Sequence, residues 1–424
     1  MRNILRCLSF ALALILLAAA LVGCNNKAKT NVQTQTKKES NSLLTINGIG
    51  LNDYTVVYEK RAISGAEKAF SYLNEKLGAL YGTELKGSFV SEERYEILIG
   101  LDGDDEEIKQ AYEENPSGLI GATEKKIVLL GVNYTAFCQV IDAFLDKATG
   151  EAGSKEISIS GYEIPKLDNA SLNVMSYNIL GDMEKDGRRS DCRTRMVETI
   201  LENDVDVLGT QEDTNEHSNF FIENLKTYSF YKGDGQDNYI YWKKDKFNLI
   251  EKGYYYLSDT PEKKSKYDGS NQYRTMTYVV LEVKETGKKF LFVSTHLDYR
   301  AEEKVRVKQI DVLASLVEKL NKDNLPLIIL GDFNTTESTT GSAILHFMSD
   351  NPNFGMTSKV ANVSGDTRGT LVNGFADRDN RYVFDYIFIS TNTVFTKYYT
   401  VVNNIKNGKY PSDHLPVLAQ IDIY

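Results

Sequence analysis

Six amide and carboxylate side chains between residues 170 and 424 stand out as a set of oxygen donors that could bind a metal. They are Asn178, Glu212, Asp332, Asn334, Asp385 and Asp413. Hard oxygen donors of this kind suit Mg²⁺ far better than zinc. The sequence has only 4 histidines and no cysteine pair spaced for metal binding, which further disfavours zinc. The donor set therefore predicts a site for Mg²⁺ or Mn²⁺.

Two of the four histidines, His296 and His414, lie beside acidic residues, Asp298 and Asp413. A hard metal combined with carboxylates, amides and imidazoles suits the attack of water on a phosphate ester. The metal neutralises the anion, a carboxylate activates the water, and a cationic imidazole stabilises the extra charge on phosphorus. The sequence has no GxSxG, P-loop or GxGxxG motif, so acyl hydrolysis, nucleotide-triphosphate binding and dinucleotide redox chemistry lack their usual signatures.

Short apolar runs that end in polar residues predict the strands that position these side chains. They span Leu172–Asn178, Val205–Glu212, Phe290–His296, Leu327–Asp332 and Phe384–Ile389. Runs of this length, rich in Val, Ile and aromatic residues, are typical of buried strands. Helices are expected between some of them, notably Arg193–Glu202 and Glu303–Leu320. Two strand-rich halves with helices predict an α/β sandwich of two packed sheets, with catalytic groups where strand ends meet.

Residues 43–165 alternate strand-like and helix-like segments, which predicts a small α/β accessory domain before a catalytic domain at residues 170–424. The order of elements and the glycine-terminated strands resemble the small domain that precedes the catalytic barrel in some hexosaminidases and α-glucuronidases. The segment has no nucleophile, metal cluster or phosphate-binding loop. We interpret it as an accessory or spacer domain, with glycan binding as the alternative.

The N-terminus predicts the location of the protein. Arg2 and Arg6 precede an apolar run from Leu8 to Val22 that is shorter than a typical membrane span. The run ends just before Cys24 and resembles a bacterial lipoprotein signal, which implies removal of residues 1–23 and lipidation of Cys24. The polar residues 24–42 then form a flexible tether, and the protein is held on the extracytoplasmic face of the bacterial cell membrane. A simple signal anchor is the alternative.

Six short strings occur in an order that resembles the endonuclease/exonuclease/phosphatase superfamily. They are Ser176-Tyr-Asn178, Gln211-Glu212, Thr295-His296, Gly331-Asp-Phe-Asn334, Asp385-Tyr-Ile-Phe388 and Ser412-Asp-His414. Members of this superfamily include deoxyribonucleases, apurinic endonucleases, sphingomyelinases, inositol-polyphosphate 5-phosphatases and deadenylases. The resemblance covers essentially all of residues 170–424 and implies a four-layered α/β sandwich.

The resemblance also implies a role for each residue on the metal side of the site. Glu212 would be the principal Mg²⁺ ligand, with Asn178 beside it in the metal and water shell, and Asp413 would complete this side. Asp332 would orient or deprotonate the attacking water, and Asn334 would fix Asp332 or a phosphate oxygen.

The histidines have roles implied in the same way. His414 would contact the scissile phosphate as an imidazolium, with Asp385 on its other ring nitrogen, because a carboxylate partner favours the charged imidazole. His296 would bind a phosphate oxygen or help to protonate the leaving group.

Several other residues have two interpretations. Arg274 could bind a phosphate or be an exposed strand arginine, and Asp298 could support the site or be a solvated turn acid. His217 and His346 are interpreted as surface or core histidines. The tyrosine-rich stretch from Tyr228 to Tyr256 predicts edge strands whose tyrosines pack in the fold, with substrate stacking as the alternative.

The charge balance bears on the substrate. The chain has a formal net charge of −10, and residues 170–424 carry 31 basic and 36 acidic side chains. Duplex nucleases use basic surfaces for phosphate contacts, so a small phosphodiester or phosphomonoester is favoured over DNA or RNA, which remain the alternative. A second alternative is a catalytically silent glycan-binding lipoprotein. Membrane contact is expected only through the lipid anchor.

Overall fold

The structure is a computed structural model that describes residues 43–59, 65–92, 94–151, 153–181, 189–233 and 237–424. The predicted signal peptide at residues 1–23, the lipidation residue Cys24 and the tether at residues 24–42 lie outside the described residues. In the described ranges, no helix is both long enough and apolar enough to span a membrane.

The described residues form helices and strands with the following bounds. The helices are α1 (Ala66–Tyr81), α2 (Glu106–Glu114), α3 (Tyr134–Leu145), α4 (Arg189–Glu202), α5 (Asn215–Asn224), α6 (Glu303–Leu320), α7 (Ala343–Asp350) and α8 (Thr357–Val360). The first ten strands are β1 (Leu43–Ile46), β2 (Ile49–Gly50), β3 (Thr55–Tyr58), β4 (Gly87–Ser88), β5 (Glu96–Ile99), β6 (Gly118–Ala122), β7 (Lys126–Gly131), β8 (Thr149–Glu151), β9 (Ser154–Ile157) and β10 (Gly161–Glu163). The others are β11 (Ala170–Asn178), β12 (Val207–Gln211), β13 (Tyr228–Tyr231), β14 (Tyr239–Lys243), β15 (Phe247–Tyr256), β16 (Thr275–Val283), β17 (Lys289–His296), β18 (Leu327–Asp332), β19 (Phe354–Met356), β20 (Val363–Ser364), β21 (Leu371–Asn373), β22 (Asp377–Asp379), β23 (Asp385–Ser390), β24 (Val394–Val401) and β25 (Val417–Ile423).

Two sheets pack face to face in residues 170–424. One has the order β13-β14-β12-β11-β25-β24-β20, and the other has the order β15-β16-β17-β18-β23-β19. Their inner faces meet in one apolar core, while α4 and α5 cover the outer face of the first sheet and α6 and α7 cover that of the second. The predicted α/β sandwich of two packed sheets is confirmed, and its layers number four.

Several strands are almost entirely apolar because both of their faces are buried. In β11, Leu172 and Val174 point into the core between the sheets, while Met175 and Tyr177 pack on the α4 and α5 side. Successive strand residues point to opposite faces, so a strand covered on both sides needs apolar residues at every position.

The register of four strands brings polar residues to one edge of the sandwich. The parallel pair β11 and β12 places Asn178 opposite Gln211, and the parallel pair β17 and β18 places His296 opposite Asp332. β23 runs antiparallel to β18, so its first residue, Asp385, lies opposite Asp332. The ends of parallel strands in one sheet meet at the same edge, where ligands commonly bind.

Residues 43–163 build two further sheets, ordered β2-β1-β9-β8 and β10-β6-β7-β5-β3-β4, with α1 and α3 packed against an apolar core. No strand pairing joins them to the sheets of residues 170–424 in the described ranges. The backbone N–H and the hydroxyl of Thr135 both donate to the carbonyl of Asn392, at 3.1 Å and 3.0 Å. Residues 42–424 form one compact unit, and the division into an accessory and a catalytic domain stays a prediction.

Agreement with the sequence analysis varies among the elements, and the long strands β24 and β25 were not predicted. β18 and α6 have the expected bounds, and the predicted edge strands are confirmed because β13 and β15 lie at sheet edges, although β14 is interior. Strands β1, β2, β8 and β9 were not anticipated. They have only two to four residues each, too few for a periodic pattern.

Candidate active site

Asp332 lies at the centre of the predicted site residues. Its Oδ2 atom accepts a hydrogen bond from Asn178 Nδ2 at 3.0 Å, and it lies 3.5 Å from Nε2 of His296 and 3.7 Å from Nε2 of His414. Three of these residues end strands. The register of β17 and β18 pairs His296 with Asp332, and the packing of the two sheets brings Asn178 to them. The result is a buried carboxylate between two imidazoles, an arrangement that can take a proton from water and place positive charge beside it.

Glu212 joins this group from the turn that follows β12. Its Oε1 atom accepts from Asn178 Nδ2 at 3.3 Å, and its Oε2 atom accepts from the backbone N–H of Gly181 at 3.0 Å. The backbone of Glu212 has a φ of 57°, in the left-handed region that is strained for residues other than glycine. Its own N–H donates to Asp237 Oδ1 at 2.9 Å, and these bonds hold the carboxylate toward the cleft.

Asp413 brings a third carboxylate to the cleft, which Glu212 and Asp332 also line. Burial raises the pKa of Asp413. His414 opposes that rise, while the negative charges of Glu212 and Asp332 add to it. Carboxylates that crowd one another in this way, beside the Asn178 amide, are hard donors whose mutual repulsion a divalent cation would relieve. The residues present therefore fit Mg²⁺ or Mn²⁺.

Asp385 and His414 form a buried pair on the other side of Asp332. The imidazole donates from Nδ1 to Asp385 Oδ2 at 2.8 Å, and Asp385 is fully buried. Burial alone would lower the pKa of His414, but Asp385 and Asp332 outweigh it, so the pKa lies well above the ordinary value. Ligand atoms of Asp332, Asp385 and His414 lie within 4.8 Å of one another. This group suits a metal less well than the Glu212 side does, because Asp385 and the imidazole bind each other.

His296 has a carboxylate partner that the sequence analysis missed. Its Nδ1 atom lies 3.0 Å from Asp237 Oδ1, and Asp237 Oδ2 accepts from Arg274 Nη1 at 2.6 Å. Burial and Arg274 lower the pKa of His296, but Asp237 and Asp332 raise it more, and the pKa is raised. Asp237 precedes strand β14 instead of ending a strand, so the pattern that marked the other residues did not mark it.

Asn334 lies beside the other ring nitrogen of His296. Its Nδ2 atom is 2.9 Å from His296 Nε2 and 3.0 Å from the carbonyl oxygen of Leu297. The amide nitrogen can donate to both atoms, while Nδ1 of His296 lies 3.0 Å from Asp237 Oδ1 and 2.9 Å from Arg274 Nη1. A proton that reaches Nε2 then faces Asp332 Oδ2. Asn334 thus orients His296, and its N–H also donates to Asp332 Oδ1 at 2.8 Å.

Arg274 is not an exposed strand arginine, because only 6% of it is exposed. Its Nε atom is buried and has no hydrogen-bond partner in the described ranges. Together with Glu212, Asp237, both histidines and Asp413, it lines a cleft of about 490 Å³.

The remaining residues with two interpretations lie outside the catalytic group. Asp298 is buried, and accepts hydrogen bonds from loop backbone N–H groups instead of from an imidazole. His217 is buried, with Nε2 at 3.0 Å from the carbonyl of Leu180, and burial lowers its pKa to about 4. His346 pairs with Asp311 at 2.7 Å.

A family model described as the Endonuclease/Exonuclease/phosphatase family matches residues 175–414, more than half of the chain. This range contains every residue of the candidate site.

The chain belongs to the endonuclease/exonuclease/phosphatase family.

Solved structures agree with this family in fold. A family member from Bacteroides thetaiotaomicron is 26% identical with a TM-score of 0.55, and the match covers 61% of this chain and 100% of that one. A mannosyl-6-phosphatase from Bacteroides thetaiotaomicron VPI-5482 is 26% identical with a TM-score of 0.53, covering 59% of this chain and 99% of that one. No curated protein matches the chain. As a member of this family, the protein is a hydrolase of the phosphoesterase type.

Proposed function

We propose that this endonuclease/exonuclease/phosphatase family member hydrolyses small phosphate esters with the help of Mg²⁺ or Mn²⁺, by in-line attack of an activated water. The observation that carries the proposal is the position of Asp332 Oδ2 between Asn178 Nδ2 and the Nε2 atoms of His296 and His414. A complete set of this kind argues against a catalytically silent glycan-binding protein.

The cation would be held by Glu212, Asn178 and Asp413. When bound, it supplies positive charge that offsets the charge of the phosphate and of the transition state. Asp332 accepts the proton of the attacking water, and its contact with Asn178 fixes the carboxylate for that task.

The two imidazoles serve the phosphate and the leaving group. His414, with its raised pKa, is an imidazolium at neutral pH and faces the charge that grows on the phosphate oxygens. His296 transfers a proton at Nε2, since Asp237 holds its Nδ1 atom. Arg274, with an unpartnered Nε atom in the described structure, donates to a phosphate oxygen.

The size and charge of the site favour a small substrate. A cleft of about 490 Å³ is within the ordinary range for small-molecule pockets, and residues 170–424 are acidic on balance, unlike proteins that grip duplex phosphates. The similar mannosyl-6-phosphatase makes hexose 6-phosphates the first esters to test. DNA or RNA remains a lower-ranked substrate.

We base the proposed cellular location of the enzyme on its N-terminal sequence. The charged start, the apolar run to Val22 and Cys24 support an enzyme that is anchored by lipid on the extracytoplasmic face of the bacterial membrane. Its substrates would then be extracytoplasmic phosphate esters.

A metal titration tests the proposed function. Phosphate release from mannose 6-phosphate and turnover of bis(p-nitrophenyl) phosphate should require Mg²⁺ or Mn²⁺ and stop in EDTA. Glu212→Gln should raise the Mg²⁺ concentration needed for half-maximal rate, because it removes a charged ligand. Glu216→Gln, on an exposed glutamate paired with Arg193, should leave that concentration unchanged. Activity that persists in chelator, or that only zinc restores, would contradict the proposal.

A further inference from the structure

Two exposed tyrosines line the catalytic cleft next to Arg274 and His296. Tyr273 is 42% exposed and Tyr299 is 46% exposed. Neither is among the groups that would handle the scissile phosphate, so they lie where the rest of a substrate would emerge from the site.

Cationic side chains lie over both tyrosine rings. Lys264 Nζ and Lys266 Nζ lie 5.1 Å and 5.5 Å from the ring centroid of Tyr273, and the guanidinium carbon of Arg300 lies 4.9 Å from that of Tyr299. These distances are within the range of cation–π attraction. The three cations therefore lie over two rings that line the cleft, and we refer to Lys264, Lys266 and Arg300 as the cationic rim.

The cationic rim has no counter-ion in the described ranges. No carboxylate lies within ion-pair distance of any of its three members, although the neighbouring Lys304 and Arg306 pair with Glu302 and Glu303. Lys266 Nζ donates to the carbonyl oxygen of Asn271 at 3.3 Å, a bond that leaves its positive charge uncompensated. The three cations attract a negatively charged group to this side of the cleft.

A buried carboxylate fixes the two loops that carry the rim. Asp298 is fully buried, and its Oδ2 atom accepts from the backbone N–H of Gln272 at 2.8 Å and from the Ser270 hydroxyl at 2.7 Å. Its Oδ1 atom accepts from the N–H groups of Arg300 and Ala301 at 3.0 Å and 3.1 Å. One side chain thus ties the Tyr273 loop to the Tyr299 loop, so the backbone of both loops is held in place before a ligand arrives.

We propose that the substrate is a small phosphate ester with a second anionic group, a phosphate or a carboxylate, which binds to Lys264, Lys266 and Arg300 while the scissile phosphate lies at Asp332, His296 and His414. This inference rests on the proposed function and names the substrate class for the same site. A neutral sugar would instead need open aromatic faces, and cations cover a face of both rings.

The test compares fructose 1,6-bisphosphate with fructose 6-phosphate in excess Mg²⁺. We expect kcat/KM for the bisphosphate to exceed that for the monophosphate by about tenfold, on the order of what two or three exposed ion contacts supply, and by more than the twofold that two ester groups give by number. The difference should shrink as the salt concentration rises.

Variants identify the residues responsible. The double variant K264Q/K266Q should lose most of the preference through a higher KM for the bisphosphate, with kcat for fructose 6-phosphate unchanged. The control K263Q/K304Q removes the same charge from exposed lysines away from the two rings, and it should keep the preference. A preference of twofold or less, or equal losses in the two double variants, would overturn the proposal.

Measurements of substrate affinity test this proposal independently of the proposed function. Thermal-shift titrations with both sugars, in the presence of Mg²⁺, report binding whether or not phosphate is released. Tighter binding of the bisphosphate that depends on Lys264 and Lys266 supports the rim even without turnover, which would count against the proposed function alone. Equal affinities would overturn the rim, and hydrolysis of both sugars would leave the proposed function standing.

Discussion

The two imidazoles of the site are oriented in the same way, each by a carboxylate. A buried carboxylate binds each Nδ1 atom, Asp385 for His414 and Asp237 for His296, so both Nε2 atoms face Asp332. Fixing one ring nitrogen selects the tautomer and the ring orientation. The site therefore alternates acid and base groups, which lets a proton move from water to Asp332 while positive charge stays on the phosphate side.

At this scale we predict the pH dependence of His414. His414→Ala should lower the rate by roughly two to four orders of magnitude, the usual range for a positioned acid–base or electrostatic group. The imidazolium is present below the raised pKa of His414 and is lost as the pH rises through it, so wild-type activity should fall on the alkaline side. Asp385→Asn removes a charge that raises this pKa, so the alkaline limb should move to lower pH.

The effects of substituting His414 and Asp385 on the rate should also be coupled. The double variant His414→Ala with Asp385→Asn should be little slower than His414→Ala alone, because coupled catalytic residues have non-additive effects. His346→Ala is the matched control, since this histidine is partly exposed and pairs with Asp311. A folded His414→Ala protein with near-normal turnover, measured with circular dichroism alongside, would remove the case for this site.

At the scale of elements, the close pairing of β17 and β18 sets the distance between His296 and Asp332. Gly331 has a φ of 154°, and a Cβ atom there would lie 1.9 Å from the carbonyl oxygen of Thr295. Only glycine permits this approach. The residue just before the central carboxylate is thus fixed by a backbone contact between strands.

We predict that Gly331→Ala lowers the free energy of unfolding by about 3 kcal/mol, as expected for a clash in buried backbone, and lowers kcat because Asp332 shifts. Urea denaturation and initial rates measure the two effects. The control is Gly287→Ala in the β16–β17 turn, where φ is 72° and no atom lies within 4 Å of the added Cβ. It should cost only about 1 kcal/mol of backbone strain, and equal stability of the two variants would contradict the prediction.

At the scale of the whole molecule, the predicted lipid anchor would decide which substrates the enzyme meets. If Cys24 is lipidated, Cys24→Ser should release the protein from the membrane fraction or leave an uncleaved precursor of higher mass. Cys7→Ser alters a cysteine inside the predicted signal peptide and should change neither. Fractionation and mass spectrometry of the full-length protein give the readout, and an unchanged mass and location of Cys24→Ser would contradict the lipoprotein prediction.

The candidate site was predictable wherever a residue ends a strand. Asn178, His296 and Asp332 end apolar runs whose pattern is local, so the sequence shows both the strand and the residue at its end. Asp237 could not be found in this way, because its importance comes from contact with His296, 59 residues further along the chain. Asp298, which the sequence places next to His296, binds two loops instead.

The sequence by itself determined the chemistry and the layers: hard oxygen donors with two imidazoles, and strands apolar on both faces that had to be covered by sheets and helices. Those properties follow from residue types and from the two-residue period of a strand. The tertiary structure decided which carboxylate holds which imidazole and that Arg274 is buried beside Asp237. It also decided that Lys264, Lys266 and Arg300 lie over the rings of two tyrosines that line the cleft. Such pairings depend on how distant segments of the chain pack together, so a local sequence pattern cannot predict them.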